Sequence, residues 1–144
     1  MEQEIQKPKV GVGVMIFKDR KVLLGKRRSN SSHGAGEYSF PGGNLEYMED
    51  IEDCIKREVL EETGIKIKNI KFQSIANVKA YTPRHVVLIA LTAEWEAGEV
   101  QSFKDERIGE WAWYGLDNLP KPLFKFSELM IKSYKTGQNY FDKE

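Results

Sequence analysis

Two apolar segments near the start of the chain flank a short polar stretch. Residues 9–17 (KVGVGVMIF) and 21–25 (KVLLG) are rich in aliphatic and β-branched side chains, and residues 18–20 (KDR) separate them. Apolar runs joined by a short polar turn are typical of a β-hairpin. We therefore predict that the sheet begins with a hairpin over residues 9–25.

The next segment has no apolar periodicity. Residues 26–37 (KRRSNSSHGAGE) are small, polar or glycine, which predicts a flexible loop. Residues 38–40 (YSF) predict a short strand, and the proline and glycines at 41–43 are expected to break the pattern after it.

A helix is predicted between Asp50 and Gly64. Asp50 is a candidate N-cap, and Asp53 places negative charge near the positive end of the helix. Gly64 is a typical residue for the helix stop, because glycine adopts the left-handed conformation at low cost.

The second half of the chain predicts more strands and a second helix. The β-prone regions are 65–78 (one or two strands, with an interruption at 82–83), 86–95 (VVLIALTAEW) and 111–114 (WAWY), with a charged loop over 96–108 before the last. Residues 123–134 have helical apolar spacing. A mixed sheet with helices packed against it, of the α/β class, fits this order of elements.

Composition and charge narrow the class of protein. The chain has 144 residues and a formal net charge of zero, so we expect one domain over residues 1–144 and no general attraction to nucleic acid or to an anionic membrane. The single cysteine, Cys54, cannot form an intramolecular disulfide, and the start MEQEIQKPK lacks the apolar region of a signal peptide. A cytoplasmic protein is the expectation.

An acidic cluster stands inside the predicted first helix. Residues 57–64 read REVLEETG, and helical spacing places Glu58, Glu61 and Glu62 on one side. Like charges at this spacing destabilise a helix by about 0.2–0.5 kcal/mol per pair. The cluster is either a solvated helix face or a site where carboxylates share a cation. Carboxylate oxygens suit hard divalent cations such as Mg²⁺, which commonly carry phosphate substrates.

Residues 43–65 (GNLEYMEDIEDCIKREVLEETGI) resemble the signature of the Nudix hydrolases. In words, that signature is Gly, five residues, Glu, seven residues, Arg, Glu, an aliphatic, any residue, Glu, Glu, any residue, Gly, an aliphatic. The positions that match are Gly43, Glu49, Arg57, Glu58, Val59, Glu61, Glu62, Gly64 and Ile65. A match in spacing and identity at so many positions favours the cation site over the solvated face.

The resemblance implies a Nudix-type α/β/α sandwich with a mixed β-sheet. It also implies cleavage of a nucleoside diphosphate linked to another group, with Mg²⁺ as cofactor and Mn²⁺ as an alternative. Carried over by position, Glu58 and Glu62 are the principal metal ligands, and Glu61 is a ligand or a water activator. The backbone of Gly43 is expected to approach the metal closely.

Two further positions of the signature have supporting roles in this resemblance. Glu49 is expected to be either a further metal ligand or a partner of Arg57. Arg57 is expected to hold a glutamate in its metal-binding rotamer.

A weaker likeness extends over most of the chain. The segments GVGVMIF, LLGKRRS, GAG and EWAWYGLDNLP are similar to the MutT-like branch that hydrolyses nucleoside triphosphates. This branch implies a base from the segment before the late aromatic strand, for which Glu106 is the candidate, with an ordinary surface glutamate as the alternative. Asn44, a candidate substrate contact, stands where the nearest nucleotide-cleaving relatives have a histidine.

Substrate contacts are expected on both sides of this signature. One of Lys26, Arg27 and Arg28 is predicted to clamp phosphate oxygens, because arginine makes bidentate contacts with them. Phe124 and Phe126, at the start of the second helix, are candidates for stacking on a nucleobase.

Three hypotheses for the function remain open from the sequence. The first is a magnesium-dependent pyrophosphohydrolase that converts nucleoside triphosphates, including oxidised ones such as 8-oxo-dGTP, to the monophosphate and pyrophosphate. The second is hydrolysis of another diphosphate derivative, such as ADP-ribose, a dinucleotide or dihydroneopterin triphosphate. The third is a nucleotide sensor without catalysis. The resemblance also suggests a homodimer.

Overall fold

The structure, a computed structural model, describes residues 6–144, so most of the start that was examined for a signal peptide lies outside the described residues. In this part of the chain, no helix has the length and apolar character needed to cross a membrane. The elements in chain order are β1 (Lys9–Lys18), β2 (Lys21–Arg27), β3 (Tyr38–Ser39), β4 (Gly42–Asn44), α1 (Ile51–Thr63), β5 (Lys66–Val78), β6 (Val86–Ala97), β7 (Ile108–Gly115), α2 (Lys125–Thr136) and β8 (Tyr140–Phe141).

The predicted hairpin is confirmed. Strands β1 and β2 are antiparallel, and the pairing of Lys18 with Lys21 leaves a two-residue turn. Both turn residues, Asp19 and Arg20, have left-handed backbone angles, with φ of 51° and 67°. Such turns match the right-handed twist of the paired strands. Strand β2 continues to Arg27, so the loop predicted from residue 26 begins later than expected.

Strand β1 is the centre of a mixed sheet. One edge of β1 pairs in parallel with β6 over residues 9–17, and its other edge is shared between β4 and β2. The path across the sheet is β3-β2-β1-β6-β5-β8, with β4 on β1 and β7 on β2. Strand β1 is therefore the most internal strand of the sheet.

Strand β4 corrects the prediction that residues 41–43 only break the pattern. Gly42 pairs with Gly13 and lies so close to β1 that a Cβ on it would be 2.2 Å from the Val12 carbonyl oxygen. Only glycine fits this approach, so tertiary packing overrides the weak β-propensity of glycine.

The two helices cover opposite faces of the sheet, which confirms the α/β/α sandwich. Ile55 and Val59 of α1 pack in one core cluster with Val14 of β1. Met130 of α2 packs in a second cluster with Met15, the next residue of β1. Successive side chains of a strand point to opposite faces, so one strand serves both cores.

The element boundaries differ from the predictions in a few places. Helix α1 lies between Asp50 and Gly64 as predicted, with φ of 78° at Gly64, although the Asp50 side chain makes no capping hydrogen bond. Residues 65–78 form one strand, not two. Helix α2 begins at Lys125, two residues later than predicted, and strand β8 was not predicted from the sequence.

Candidate active site

A cavity of about 490 Å³ is lined by residues of β1, β4, α1, the start of α2 and the β6–β7 loop, residues 98–107. The ionisable side chains that line it include both negatively and positively charged groups. The carboxylates are Glu46, Glu58, Glu62, Asp105 and Glu106. The cations are Arg27, Arg84 and Arg107. Apolar and aromatic side chains complete the wall, which is the usual make-up of a small-molecule site.

Glu62 is the most buried carboxylate of the cavity. Only 5% of its surface is exposed, and its Oε1 accepts a hydrogen bond from the Gly42 amide at 3.1 Å. Burial and, to a smaller extent, the charge of Glu58 raise the pKa of the Glu62 carboxyl well above its ordinary value. A buried anion with so little compensation is suited to bind a cation.

Glu58 lies against the backbone of Gly43. A Cβ on Gly43 would stand 2.2–2.4 Å from the carboxylate atoms of Glu58, so glycine is required for this contact. Burial raises the pKa of the Glu58 carboxyl, although the nearby Arg57 opposes the shift. The strand β4 thus positions the side chain of α1.

Arg57 connects several acidic side chains at the edge of the cavity. Its Nε and Nη2 donate to the two carboxylate oxygens of Glu49 at 2.8 and 3.0 Å. Its Nη1 donates to Glu58 at 2.9 Å. These bonds lower the pKa of the Glu49 carboxyl to about 2. Of the two roles expected for Glu49, the structure shows the partner of Arg57, and Glu49 does not line the cavity.

Two predicted site residues lie at or outside the rim. Glu61 does not line the cavity and is 54% exposed, with only a 3.4 Å contact to Arg57. Glu61 thus lies apart from Glu58 and Glu62 in this structure, and its role as a ligand or water activator stays a prediction. The side of helix α1 that carries Glu62 is buried. Glu61, the preceding residue, is rotated around the helix axis towards solvent. Asn44 is exposed at the cavity wall.

The donor set of the cavity fits a hard divalent cation. Glu58 and Glu62 both line it, the charge of Glu58 raises the carboxyl pKa of Glu62, and the charge of Glu106 raises the carboxyl pKa of both. Within residues 6–144, however, no three His, Cys, Asp or Glu side chains are grouped closely enough to hold an ion as they stand. Carboxylate oxygens are the ligands that Mg²⁺ and Mn²⁺ prefer.

Glu106 is half-buried at the cavity, unlike its exposed neighbours in the β6–β7 loop. Its role as a base stays a prediction. Arg28 holds that loop, because its Nη1 donates to the carbonyl oxygens of Phe103, Lys104 and Glu106 at 2.6, 3.2 and 2.7 Å. Gly109 leaves room for the guanidinium, which a Cβ there would meet at 2.3 Å.

The three basic residues of the predicted phosphate clamp have different positions. Arg27 lines the cavity, whereas Lys26 and Arg28 do not. Of the three, Arg27 is therefore the one placed at the cavity, and Lys26 as a substrate contact stays a prediction. Lys26 and Arg27 follow each other on β2, so their side chains point to opposite faces.

Both predicted aromatic contacts line the cavity. The Phe124 ring is stacked on Tyr81 with centroids 4.6 Å apart, and the Arg27 guanidinium lies 4.1 Å from its centroid. Phe126 packs on Phe124 at 4.7 Å. Since Phe124 is buried and Phe126 is half-buried, Phe126 is the better candidate for a substrate ring.

Sequence reasoning missed Arg84 and Ser39, both of which line the cavity. Arg84 is in the β5–β6 loop, residues 79–85, just before the strongest predicted strand. Ser39 lies in β3 and is 3% exposed. The sequence showed Arg84 only as a basic residue just before a buried strand. The tertiary fold brings this residue to the cavity.

Comparison with known proteins identifies the family of this chain. The NUDIX domain family matches residues 7–134. An ADP-ribose pyrophosphatase of Methanocaldococcus jannaschii is 35% identical over 92% of this chain and 76% of its own length. The NAD-capped RNA hydrolase NudC of Chromobacterium violaceum is 30% identical over 81% of this chain, which spans only 42% of that protein.

A solved structure supports the same conclusion. The crystal structure of a MutT NUDIX hydrolase from Burkholderia pseudomallei superposes with a TM-score of 0.80 at 29% identity, covering 89% of this chain and 98% of its own. Sequence signature, fold and relatives agree, and the chain belongs to the Nudix hydrolases, enzymes that act on phosphoanhydride bonds.

Proposed function

We propose that this enzyme hydrolyses the diphosphate of ADP-ribose or of a similar nucleoside diphosphate derivative, in preference to a nucleoside triphosphate. The similarity to an ADP-ribose pyrophosphatase, over most of both chains, supports the second of the sequence-based hypotheses better than the first. Hydrolysis of ADP-ribose would give AMP and ribose 5-phosphate.

The charge of the cavity is the observation that carries the proposal. Five carboxylates and three arginines line it, so the protein offers an excess of negative charge to any substrate. A bound divalent cation offsets that excess but leaves no surplus of positive charge. A diphosphate diester lacks the terminal phosphate of a triphosphate and has less negative charge to neutralise, so it suits this cavity better.

The roles of the site residues follow from their positions. Glu58 and Glu62 would hold Mg²⁺, or Mn²⁺ in its place, with the Gly43 backbone beside them. Such an ion supplies charge neutralisation on the phosphate oxygens and a more acidic water when it is bound. Arg57 fixes the rotamer of Glu58, as its 2.9 Å hydrogen bond indicates.

Glu106 is proposed as the general base. It would take a proton from the water that attacks one phosphorus atom, while the bond from that phosphorus to the bridging oxygen breaks. Its half-buried position at the cavity, beside Glu58 and Glu62, supports this role. Arg27 would contact phosphate and Phe126 the base.

The test is a Mg²⁺-dependent hydrolysis screen of the purified protein. The substrates are ADP-ribose, NADH, dinucleoside polyphosphates, and unmodified and oxidised triphosphates, with Mn²⁺ as a second metal. We expect kcat/KM for ADP-ribose to exceed that for triphosphates by about tenfold or more. Glu62→Gln should abolish turnover, whereas Glu52→Gln, an exposed position on the same helix, should not. Preferential release of pyrophosphate from triphosphates would overturn the proposal.

The oligomeric state is a separate proposal. The homodimer suggested by the resemblance can be tested by light scattering of the purified chain. A mass near 16.6 kDa at all concentrations would exclude it.

A further inference from the structure

The cavity contains unpartnered buried polar atoms. In residues 6–144, three buried side-chain atoms have no hydrogen-bond partner: Ser39 Oγ, Arg84 Nε and Trp111 Nε1. Two of the three, on Ser39 and Arg84, belong to residues that line the active-site cavity. Buried donors without partners cost free energy, so their concentration at one cavity indicates a ligand with acceptor oxygens.

Arg84 also lacks an ionic partner within the described part of the chain. No carboxylate lies within salt-bridge distance of its guanidinium there. Two charges of the same sign, those of Arg107 and Arg27, repel it. Burial and this repulsion lower the pKa of the Arg84 guanidinium, and they do the same for Arg27. A cluster of arginines at a cavity is stabilised when an anion enters it.

The geometry of the two arginines leaves a free edge for that anion. The Nε of Arg27 is already used, because it donates to the His33 carbonyl at 2.8 Å. The Nε of Arg84 is not used, so its Nε and one Nη can act together as a bidentate donor pair. A planar fork of this kind matches two oxygens of a phosphate.

We propose that Arg84, assisted by Ser39 and Arg27, binds the phosphate of the diphosphate that does not contact the divalent cation at Glu58 and Glu62. The substrate would then lie across the cavity with one phosphate beside that cation and the other at the arginines. This inference rests on the proposed function, since it assigns the second phosphate of that substrate class a place in the same cavity. It makes Arg84 a substrate-binding residue and not a purely structural one.

The test compares three variants by steady-state kinetics and by inhibition. Arg84→Gln should raise KM for ADP-ribose, and Ki for ADP as a competitive inhibitor, by about 10- to 100-fold, which corresponds to the loss of a charge-assisted hydrogen bond. Arg84→Lys should recover only part of this loss, because lysine keeps the charge but not the fork. Lys79→Gln removes a positive charge from an exposed position of the same loop and should change both constants by less than about twofold.

Adenosine separates a phosphate contact from a general disturbance of the site. Its Ki should be the same for Arg84→Gln and for the wild type, because adenosine has no phosphate. An unchanged KM for ADP-ribose and an unchanged Ki for ADP in Arg84→Gln would overturn the inference, as would an equal loss of adenosine binding. If the wild type prefers triphosphates, the proposed function fails, and KM for the preferred triphosphate then tests Arg84 in the same way.

Discussion

Replacing Gly43 with alanine is expected to inactivate the enzyme without unfolding it. The new Cβ would stand 2.2–2.4 Å from the carboxylate atoms of Glu58. To reach ordinary van der Waals separation, the carboxylate has to retreat by about 1 Å. Because the obstructed group is the end of a flexible side chain, the side chain of Glu58 can move while strand β4 stays in place.

The two effects of this substitution differ greatly in size. A displacement of about 1 Å in a catalytic group lowers the rate by about 100-fold, so kcat/KM should fall by that factor. The free energy of unfolding should change by less than about 1 kcal/mol, because the reduced entropy of the unfolded chain offsets the strain of moving one side chain. The backbone of Gly43 is not in the left-handed region, so alanine fits its conformation.

The assay is kcat/KM together with the melting temperature Tm of each purified variant. Gly115→Ala is the matched control, since a Cβ at this strand residue of β7 would meet no atom within 4 Å. In a Glu58→Gln background, Gly43→Ala should lower kcat/KM little further, because the two substitutions act on the same side chain. The reasoning would be refuted if kcat/KM of Gly43→Ala stayed within about threefold of the Gly115→Ala value.

Three more predictions concern the surroundings of the site. In EDTA, Tm should fall as the pH rises above the ordinary carboxyl pKa, because burial raises the folded-state pKa of Glu62, so this stability is complete below the ordinary carboxyl pKa and is lost as the pH rises through the raised one. Tyr81→Phe removes a hydroxyl that donates to Glu37 and accepts from the first amide of α2, and should cost about 1–3 kcal/mol of unfolding free energy. Arg28→Ala releases the loop that carries Glu106 and should lower kcat about tenfold, with KM less affected.

Each of these three predictions is tested against a matched control variant. Glu62→Gln should flatten the pH dependence of Tm and the exposed Glu61→Gln should not, so a Tm that is equally dependent on pH in both variants contradicts the first prediction. Tyr47→Phe, at a side chain that is 95% exposed, should leave chemical denaturation unchanged. For Arg28, an equal loss of kcat in the exposed turn variant Arg20→Ala would argue against loop positioning.

Local sequence patterns predicted the parts of the site that lie close together along the chain. The two ends of α1, at Asp50 and Gly64, and the spacing of Glu58 and Glu62 are all contained within a short segment. Helical spacing also grouped Glu61 with Glu58 and Glu62. Periodicity indicates which residues share one side of a helix, but it does not indicate which of them are buried. The structure places the boundary of burial between Glu61 and Glu62.

Long-range contacts could not be predicted in the same way. Arg28 bonds to carbonyls more than 70 positions away, and backbone carbonyls have no signal in the sequence. Arg84 reaches the cavity only because β6 pairs with β1, a contact between distant strands. Gly42 joins a strand because of its close approach to Val12, which local propensity counts against.

The two halves of the active site are anchored very differently. Strand β4, beside Glu58 and Glu62, is bonded to β1, which itself pairs with β6 along residues 9–17. The β6–β7 loop that carries Glu106 is attached through the three carbonyl contacts of Arg28 and a few backbone hydrogen bonds. In hydrogen exchange, the loop amides should open at low free energy, and the β4 amides only with the whole domain. On heating, catalysis should therefore be lost some degrees before the fold melts.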